Sequence, residues 1–442
     1  MRARSGWLNP AFAALCATGG LLAVFDPASA QSVPSVLPDI VVNSHRAPAG
    51  ETFVVERAEL SPDGRRIAYV AALGNVRRLR VEALDGSAST TSDLAGIDLR
   101  DLTWAGNTHI LLTLMRQSLT DTNVDNGIFS AMAFNVDRNA WETLLLNRTA
   151  GNELGVASMH AIGTRIPNQP RLLPIIFERP SVRTVDGRTE VFISTLSLDG
   201  SCRYGVYSID LDTSATRRSD TGTTRTDAMV LHGNGELGAL TQQGHLRIRD
   251  GVALRTVNLP RDVAIELIGP GRADGTYLIR LGAGEATQLV EVSGSRGEQR
   301  TIVDTGGMVD PLPLLDDQSG RLMGLIGHDR EGHTAHLFFD TTLAIHWSDI
   351  KAAFPDDELT IASWSADLDK IIVYAEREDG ADFHLVDFSS GVSRLLAPSY
   401  LPRGDFDLDR TGNTASIDIR RAAAARIVDP RILCRDARDP GE

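Results

Sequence analysis

The sequence predicts an all-β fold: a β-propeller, best fitted by seven blades of four-stranded antiparallel sheets, with eight as the alternative count. Three observations carry this expectation. The stretch Leu60-Ser61-Pro62-Asp63-Gly64-Arg65-Arg66-Ile67-Ala68-Tyr69-Val70 reads as a strand hairpin: Pro62 presets the first turn position, Asp63 tolerates the next, and Gly64 can take the positive φ that closes the turn. Weaker copies recur almost to the C-terminus, marked by Gly64, Gly106, Gly187, Gly235, Gly275, Gly320 and Leu368, with one faint unit near Phe129 to Leu146. Counting that unit, the mean period is about 43 residues, within the range of four-stranded blades. Between the copies no convincing long helix stands out, and every strand run is short.

Each unit couples turn chemistry to a period-two run of β-formers. After Gly64, Ile67, Tyr69 and Ala71 alternate with Ala68 and Val70, apolar enough on both faces for a largely buried strand. Leu79 to Leu84 runs into an Asp85-Gly86 turn, and Trp104-Ala105-Gly106-Asn107 precedes Ile110-Leu111-Leu112. Asp137-Arg138-Asn139 joins two strands, and Val185-Asp186-Gly187-Arg188 opens into Val191-Phe192-Ile193. Tyr204 to Leu211 is a strand ending in a turn at Asp212, and Gly233-Asn234-Gly235-Glu236 leads into Leu237 to Leu240. Asp274-Gly275 leads into Tyr277-Leu278-Ile279, Ser319-Gly320-Arg321 into Leu322 to Ile326, and Trp364-Ser365-Ala366-Asp367 into Ile371 to Tyr374, completed by His384 to Asp387. Phe406 to Gly412, followed by Ala415, Ile417 and Ile419, is the hairpin that would make an eighth blade.

The ends of the chain read differently. Arg2 and Arg4 form a basic start, Ala11 to Phe25 is an apolar run too short to span a bilayer, and Ala28-Ser29-Ala30 is a small-residue cleavage site before Gln31. Residues 1–30 are therefore expected to be a secretory signal peptide, cleaved after Ala30, and the mature protein to be periplasmic or secreted. Residues 31–50, with Pro34, Pro38 and Pro48, read as a leader or linker that lies along the domain surface; residues 51–402 are the propeller. The segment 403–442 is a ring-closing strand, a disordered charged tail, or out-of-frame translation, since from Arg420 it is arginine-rich and holds no aromatic residue. Cys16 falls in the signal peptide; Cys202 and Cys434 remain, too few for a disulfide framework, and whether they pair is left open. A formal charge of −14 over 442 residues argues against nucleic acid or an anionic membrane as the main partner.

Several constellations could carry chemistry. His328-Asp329-Arg330-Glu331-Gly332-His333-Thr334-Ala335-His336 holds three histidines and two carboxylates, the donor types zinc takes, but it reads as a solvated hairpin whose His333 and His336 point apart. Asp121, Asp125, Asp356 and Asp357 lie in loop-like acidic stretches without the spacing of a calcium loop. Trp104, Trp141, Trp347 and Trp364 could line a channel, though aromatics of a propeller more often pack between blades. Arg77, Arg78 and Arg80 read as an exposed strand edge kept from pairing by charge. Gly282-Ala283-Gly284 lacks the Lys-Ser/Thr of a phosphate loop and reads as a turn. No catalytic, cofactor-binding or metal-binding residue is assigned, and no cofactor is expected.

The Ser-Pro-Asp-Gly hairpin, the Trp104-Ala105 unit, Phe338-Phe339-Asp340, the Trp364-Ser365 unit and Phe383-His384-Leu385-Val386-Asp387 with Tyr400 beyond, in that order, resemble the N-terminal β-propeller of bacterial S9 (prolyl oligopeptidase) family serine peptidases. The resemblance covers roughly Glu51 to Pro402, and TolB-like propellers share the Ser-Pro-Asp-Gly turn. It implies a propeller that filters or positions peptides for an α/β-hydrolase domain whose serine sits on a Gly-x-Ser-x-Gly elbow. That motif is absent from these 442 residues, so no catalytic residue of the family carries over. The expectation is an exported propeller that binds or gates peptides without catalysis of its own, with a peptide or protein ligand and a separately encoded hydrolase domain as its candidate partners. The alternative is a stand-alone TolB-like module that binds a protein partner.

Overall fold

The marker residues of the sequence occupy one structural position, repeated seven times around a ring. The computed structural model describes residues 41–43 and 54–399, apart from 74–75, 95–97, 117–127, 146–171, 173–175, 177–178, 198–202, 223–225, 261–262, 283–286, 295–298 and 378–379. A short strand β1 (Val41–Asn43) precedes blade 1, which is β2 (Val54–Leu60), β3 (Arg66–Leu73), β4 (Val76–Ala83) and β5 (Ser89–Asp93). Blade 2 is β6 (Asp98–Ala105), β7 (His109–Arg116), β8 (Ile128–Asn135) and β9 (Ala140–Thr143). Blade 3 is β10 (Ser181–Val185), β11 (Arg188–Leu196), β12 (Tyr204–Asp210) and β13 (Ala215–Thr221), and blade 4 is β14 (Thr226–Leu231), β15 (Leu237–Gln242), β16 (His245–Asp250) and β17 (Ala253–Thr256). Blade 5 is β18 (Ile265–Pro270), β19 (Thr276–Leu281), β20 (Gln288–Ser293) and β21 (Gln299–Ile302). Blade 6 is β22 (Val309–Leu315), β23 (Leu322–His328) and β24 (Thr334–Phe338), followed by helix α1 (Thr341–Ala353). Blade 7 is β25 (Glu358–Trp364), β26 (Lys370–Arg377), β27 (Gly380–Asp387) and β28 (Val392–Ser399).

Within every blade the strands run antiparallel in sequence order. The first strand of each is innermost: β2 packs beside β6 and β25, and β18 beside β14 and β22. Gly64, Gly106, Gly187, Gly235, Gly275, Gly320 and Leu368 each sit in the turn between the first and second strands, all at positive φ. In six blades the ladder between those strands slips by a bulge, as at Leu99/Asp101 and Ile361/Ser363. A bulge adds twist, which the crowded axis of a propeller requires.

The ring has no single core. Seven buried clusters lie one at each seam, because each blade is apolar on both faces and buries each face against a neighbour. The seam between blades 7 and 1 closes the ring through two copies of one turn. Ser61 Oγ donates to Asp63 Oδ1 (2.7 Å) and accepts from Arg66 N (2.9 Å); Ser365 Oγ donates to Asp367 Oδ1 (2.5 Å) and accepts from Lys370 N (3.0 Å). The two copies are joined by Ala366 N donating to Pro62 O (2.8 Å), and the strands beside them by Leu60 N donating to Ser363 Oγ (3.0 Å). The Ser-x-Asp pattern thus builds the turn even where leucine stands in the glycine position.

Four features depart from the sequence expectation. The faint unit at Phe129 to Leu146 is the outer half of blade 2, so the true repeat is longer than about 43 residues. Blade 6 has three strands, and α1 follows them: Asp340 caps it by accepting from Leu343 N (3.0 Å), and Leu343, Trp347 and Ile350 bury one face against blades 6 and 7. Part of the supposed leader is structured, since β1 adds to the outer edge of blade 7 as a parallel fifth strand, pairing Val41 to Asn43 with Val392 to Arg394. The arginines Arg77, Arg78 and Arg80 are not on an edge: β4 is paired on both sides, and Arg77 meets Glu56, Arg78 meets Asp93 and Arg80 meets Glu82 at 2.6–3.0 Å. The arginines are there for neighbouring carboxylates. The signal peptide, the segment from Tyr400 onward with its eighth hairpin, Cys16, Cys202 and Cys434 lie outside the described residues. No helix among the described residues is long and apolar enough to cross a membrane.

Candidate functional site

The turn of blade 6 between β22 and β23 reaches over the axis and builds the centre of the molecule. It is an aspartate-braced turn: Gly320 N donates to Asp316 O (2.7 Å) and Asp316 N to Arg321 O (2.8 Å). Its tip crosses to blade 2, where Gln318 Nε2 donates to Trp104 O (2.8 Å) and Gln318 Oε1 accepts from Gly106 N (3.1 Å). Both bonds serve backbone groups that have no other strand to pair with at the mouth. Replacing Gln318 with alanine leaves them unpaired, and a loss of about 1–3 kcal/mol in urea unfolding is expected. A loss within experimental error would show that the tip is not tied down there.

Behind Gln318, Asp317 points to Arg179, just before β10. Arg179 Nη1 donates to Asp317 Oδ1 (2.8 Å), its Nε donates to Asp101 Oδ2 (2.5 Å), and its Nη2 donates to Thr103 Oγ1. Asp101 and Thr103 share one face of β6 because they are two residues apart, while Leu102 and Trp104 on the other face pack into the seam with blade 1. Burial works against the charge of Arg179, but Asp101 and Asp317 more than offset it and hold the guanidinium above its ordinary value. Asp317 is raised, burial outweighing the attraction of Arg179. Glu59, near the end of β2, is raised well above the carboxylate range by burial and then by Asp317.

A second arginine lies on the other side of the turn. Arg183 in β10 is 5 % exposed; its Nε donates to His232 O (3.3 Å) and its Nη1 to Val182 O (2.5 Å). Gly320 gives it room: a Cβ there would come within 2.0 Å of Arg183 Nη2, and the backbone is at φ 68°. Burial lowers Arg183 to about 10, with Asp317 and Asp316 partly offsetting it, so it stays charged at neutral pH. Arg183, Ser194, Met229, Pro270, Pro313 and Asp316 are among the residues around an axial cavity of about 130 Å³ shared by blades 2 to 6. A smaller cavity of about 40 Å³ lies between Glu59, Trp104, Asp317 and Trp364. Together these offer guanidinium donors, carboxylate acceptors and apolar walls, the groups that hold a polar chain in a narrow channel.

The structure disperses the other candidates. His333 pairs with Asp329 (3.3 Å) in an exposed turn, His328 ends β23, and His336 meets Trp347 at a tilt of 45° with centroids 4.4 Å apart. Asp357 is clamped by Arg377 at 2.8 and 3.0 Å. Trp141 lies in the seam of blades 1 and 2, where Nε1 donates to Ser92 Oγ (2.8 Å), and Trp347 packs within α1's buried face. Trp104 fills that same seam and borders the smaller cavity; Trp364 borders it too. Gly282 ends β19 at φ 110°, and Asp121, Asp125, Gly284 and Ala283 lie outside the described residues. Sequence reasoning missed Glu59, Asp101, Arg179, Arg183 and Asp317. The one signal was charge at inward positions of first strands, as in the Arg183 of Ser-Val-Arg-Thr-Val.

No protein-family model and no curated protein matches the sequence. Solved structures do match over the propeller. A puromycin-hydrolyzing peptidase of Mycobacterium tuberculosis is 13 % identical with a TM-score of 0.42, the match covering 81 % of this chain and 56 % of that one. The β-propeller domain of the Trilobed protease from Pyrococcus furiosus is 10 % identical at 0.32, covering 78 % and 85 %. TolB from Acinetobacter baumannii is 10 % identical at 0.28, covering 76 % and 69 %. This chain spans about half the length of the full peptidases it matches.

Proposed function

We propose that this chain is the exported propeller of an S9-type peptidase, binding peptides in its axial channel and cleaving no bond with its own residues. The observation that supports it is the axial cavity, where Arg179 and Arg183 from blade 3 and its approach meet Asp316 and Asp317 of the blade 6 turn around a space walled by proline and methionine. A peptide presents alternating polar backbone and small side chains, which such a lining accommodates. Hydrolysis would be supplied by a hydrolase domain, separately encoded. Titration of the purified protein with short peptides, followed by the fluorescence of Trp104 and Trp364, is expected to show saturable binding, and aminoacyl and peptidyl chromogenic substrates no turnover. Turnover, or no binding, would sink this reading. Export predicts a periplasmic or secreted protein beginning at Gln31. The turn across the axis favours a second reading, a TolB-like module that meets a protein partner on its rim, since Asp317 and Gln318 close part of the mouth.

A further inference from the structure

Among the described residues Arg183 is the most deeply buried cation of the ring, and it differs from the partly buried arginines that meet carboxylates. Arg179 has Asp101 and Asp317, Arg249 has Asp220, and Arg280 has Glu266. Arg183, at 5 % exposure, has no carboxylate within ion-pair distance among the described residues; only two backbone carbonyls hold it. The nearby acids are engaged elsewhere: Asp317 accepts from Arg179, and Asp316 accepts from Ser319 N and Oγ. Its Nη2 makes no hydrogen bond, lies over the bare backbone of Gly320 and borders the axial cavity. A buried charge without a counter-charge is costly, and the two carbonyls orient the guanidinium without neutralising it. The cavity, at about 130 Å³, is large enough for several waters or for the end of a peptide.

We propose that Arg183 is the anchor of a carboxylate subsite in the axial cavity, taking either the C-terminal carboxylate of a peptide or an acidic side chain. This rests on the peptide-binding reading above and deepens it. The two carbonyl contacts fix the plane of the guanidinium, leaving Nη2 to donate to an incoming carboxylate oxygen, the charge-assisted geometry that arginine makes best. Met229 and the prolines Pro270 and Pro313 exclude water around the pair, strengthening it. Gly320 is required beside it, because any side chain would fill the space of Nη2.

The test is calorimetric titration of the full-length protein with three probes: acetyl-trialanine with a free carboxylate, the same peptide as its C-terminal amide, and acetyl-Ala-Asp-Ala amide. The free acid or the aspartyl amide, or both, is expected to bind roughly tenfold to a hundredfold more tightly than the plain amide, as for a charged hydrogen bond in a shielded site. The first outcome assigns the subsite to C-termini, the second to acidic side chains. Arg183→Met should abolish the preference while leaving the weak amide binding in place, and Arg183→Lys should restore part of it. Equal binding of acid and amide by the unaltered protein overturns the inference without any variant having to fold, and leaves peptide binding standing. A preference that survives Arg183→Met overturns it as well, and failure of all three probes to bind overturns the peptide-binding reading itself.

Discussion

Replacing Arg179 with methionine will cost the fold about 3–5 kcal/mol, the penalty for leaving a buried carboxylate without its partner. The Asp101 side chain is 4 % exposed, and among the described residues it shares its charge with nothing but Arg179 and the Thr103 hydroxyl. Asp317 would lose its partner at the same time, and with it one tie that holds the blade 6 turn across the axis. Urea unfolding followed by tryptophan fluorescence measures the loss. Arg179→Lys should recover part of it, since lysine restores charge but not the fork that reaches Asp101, Asp317 and Thr103 together. Asp101→Asn in the Arg179→Met background should recover more, because it removes the stranded charge. A loss below about 1 kcal/mol would place the pair with surface salt bridges and contradict the burial described above.

The second large effect is a loss of stability on acidification, located around α1. His384 is 2 % exposed and meets Phe354 edge-on with centroids 5.0 Å apart, and His346 stacks on Phe388 at 3.8 Å. Burial lowers His384 to about 4 and His336 to about 3, and His346 is lowered too. These rings fold neutral. The unfolded chain takes up protons as pH falls through about 6.5 while the native state does not, so the native state loses ground until the folded values are reached. For His384 alone that amounts to about 3 kcal/mol between pH 7 and 4. Glu59 and Asp317 act with the opposite sign: with raised carboxyls they hold protons that the unfolded chain has released, so their burden on the fold is relieved as pH falls toward the ordinary carboxylate range. Variants separate the two. His384→Phe should flatten the acid slope of unfolding free energy against pH, and parallel profiles for the variant and the unaltered protein would refute the assignment.

The blades were legible because their information is local. Ser61, Asp63 and Gly64 make the turn by bonds that span at most five residues, and the same bonds recur at Ser365 and Asp367 where Leu368 replaces glycine. Helix α1 was legible in principle, since Asp340 precedes Leu343, Trp347, Ile350 and Phe354 at helical spacing, but in a chain of strands thirteen residues do not announce themselves. The axial site was not legible. Its charges come from blades 1, 2, 3 and 6, and one by one each reads as a solvated residue; Asp101 and Asp317 are 216 positions apart and meet only through Arg179. Arg179 itself follows a long stretch with no strand periodicity to suggest where it would lie. The misreading of Arg77, Arg78 and Arg80 has the same root: strand order decides whether charge marks an edge or an interior pair.

Because each blade is assembled from consecutive strands, the ring can be built in the order in which it is synthesised. The first and second strands meet across turns of a few residues, so blade 1 has nothing to wait for, and each later blade finds its seam already waiting on the one before. Three joints do not obey this order: the contact of blade 1 with blade 7, the parallel pairing of Val41–Asn43 with β28, and the blade 6 turn that Gln318 and Asp317 tie to Trp104, Gly106 and Arg179. Until blade 7 has been made, β1 has no partner and the face of blade 1 that packs against β26 and β27 is bare. The circle thus closes only when blade 7 is made, and a ribosome stalled before residue 358 would release a chain with six blades formed and an open end that invites a second copy.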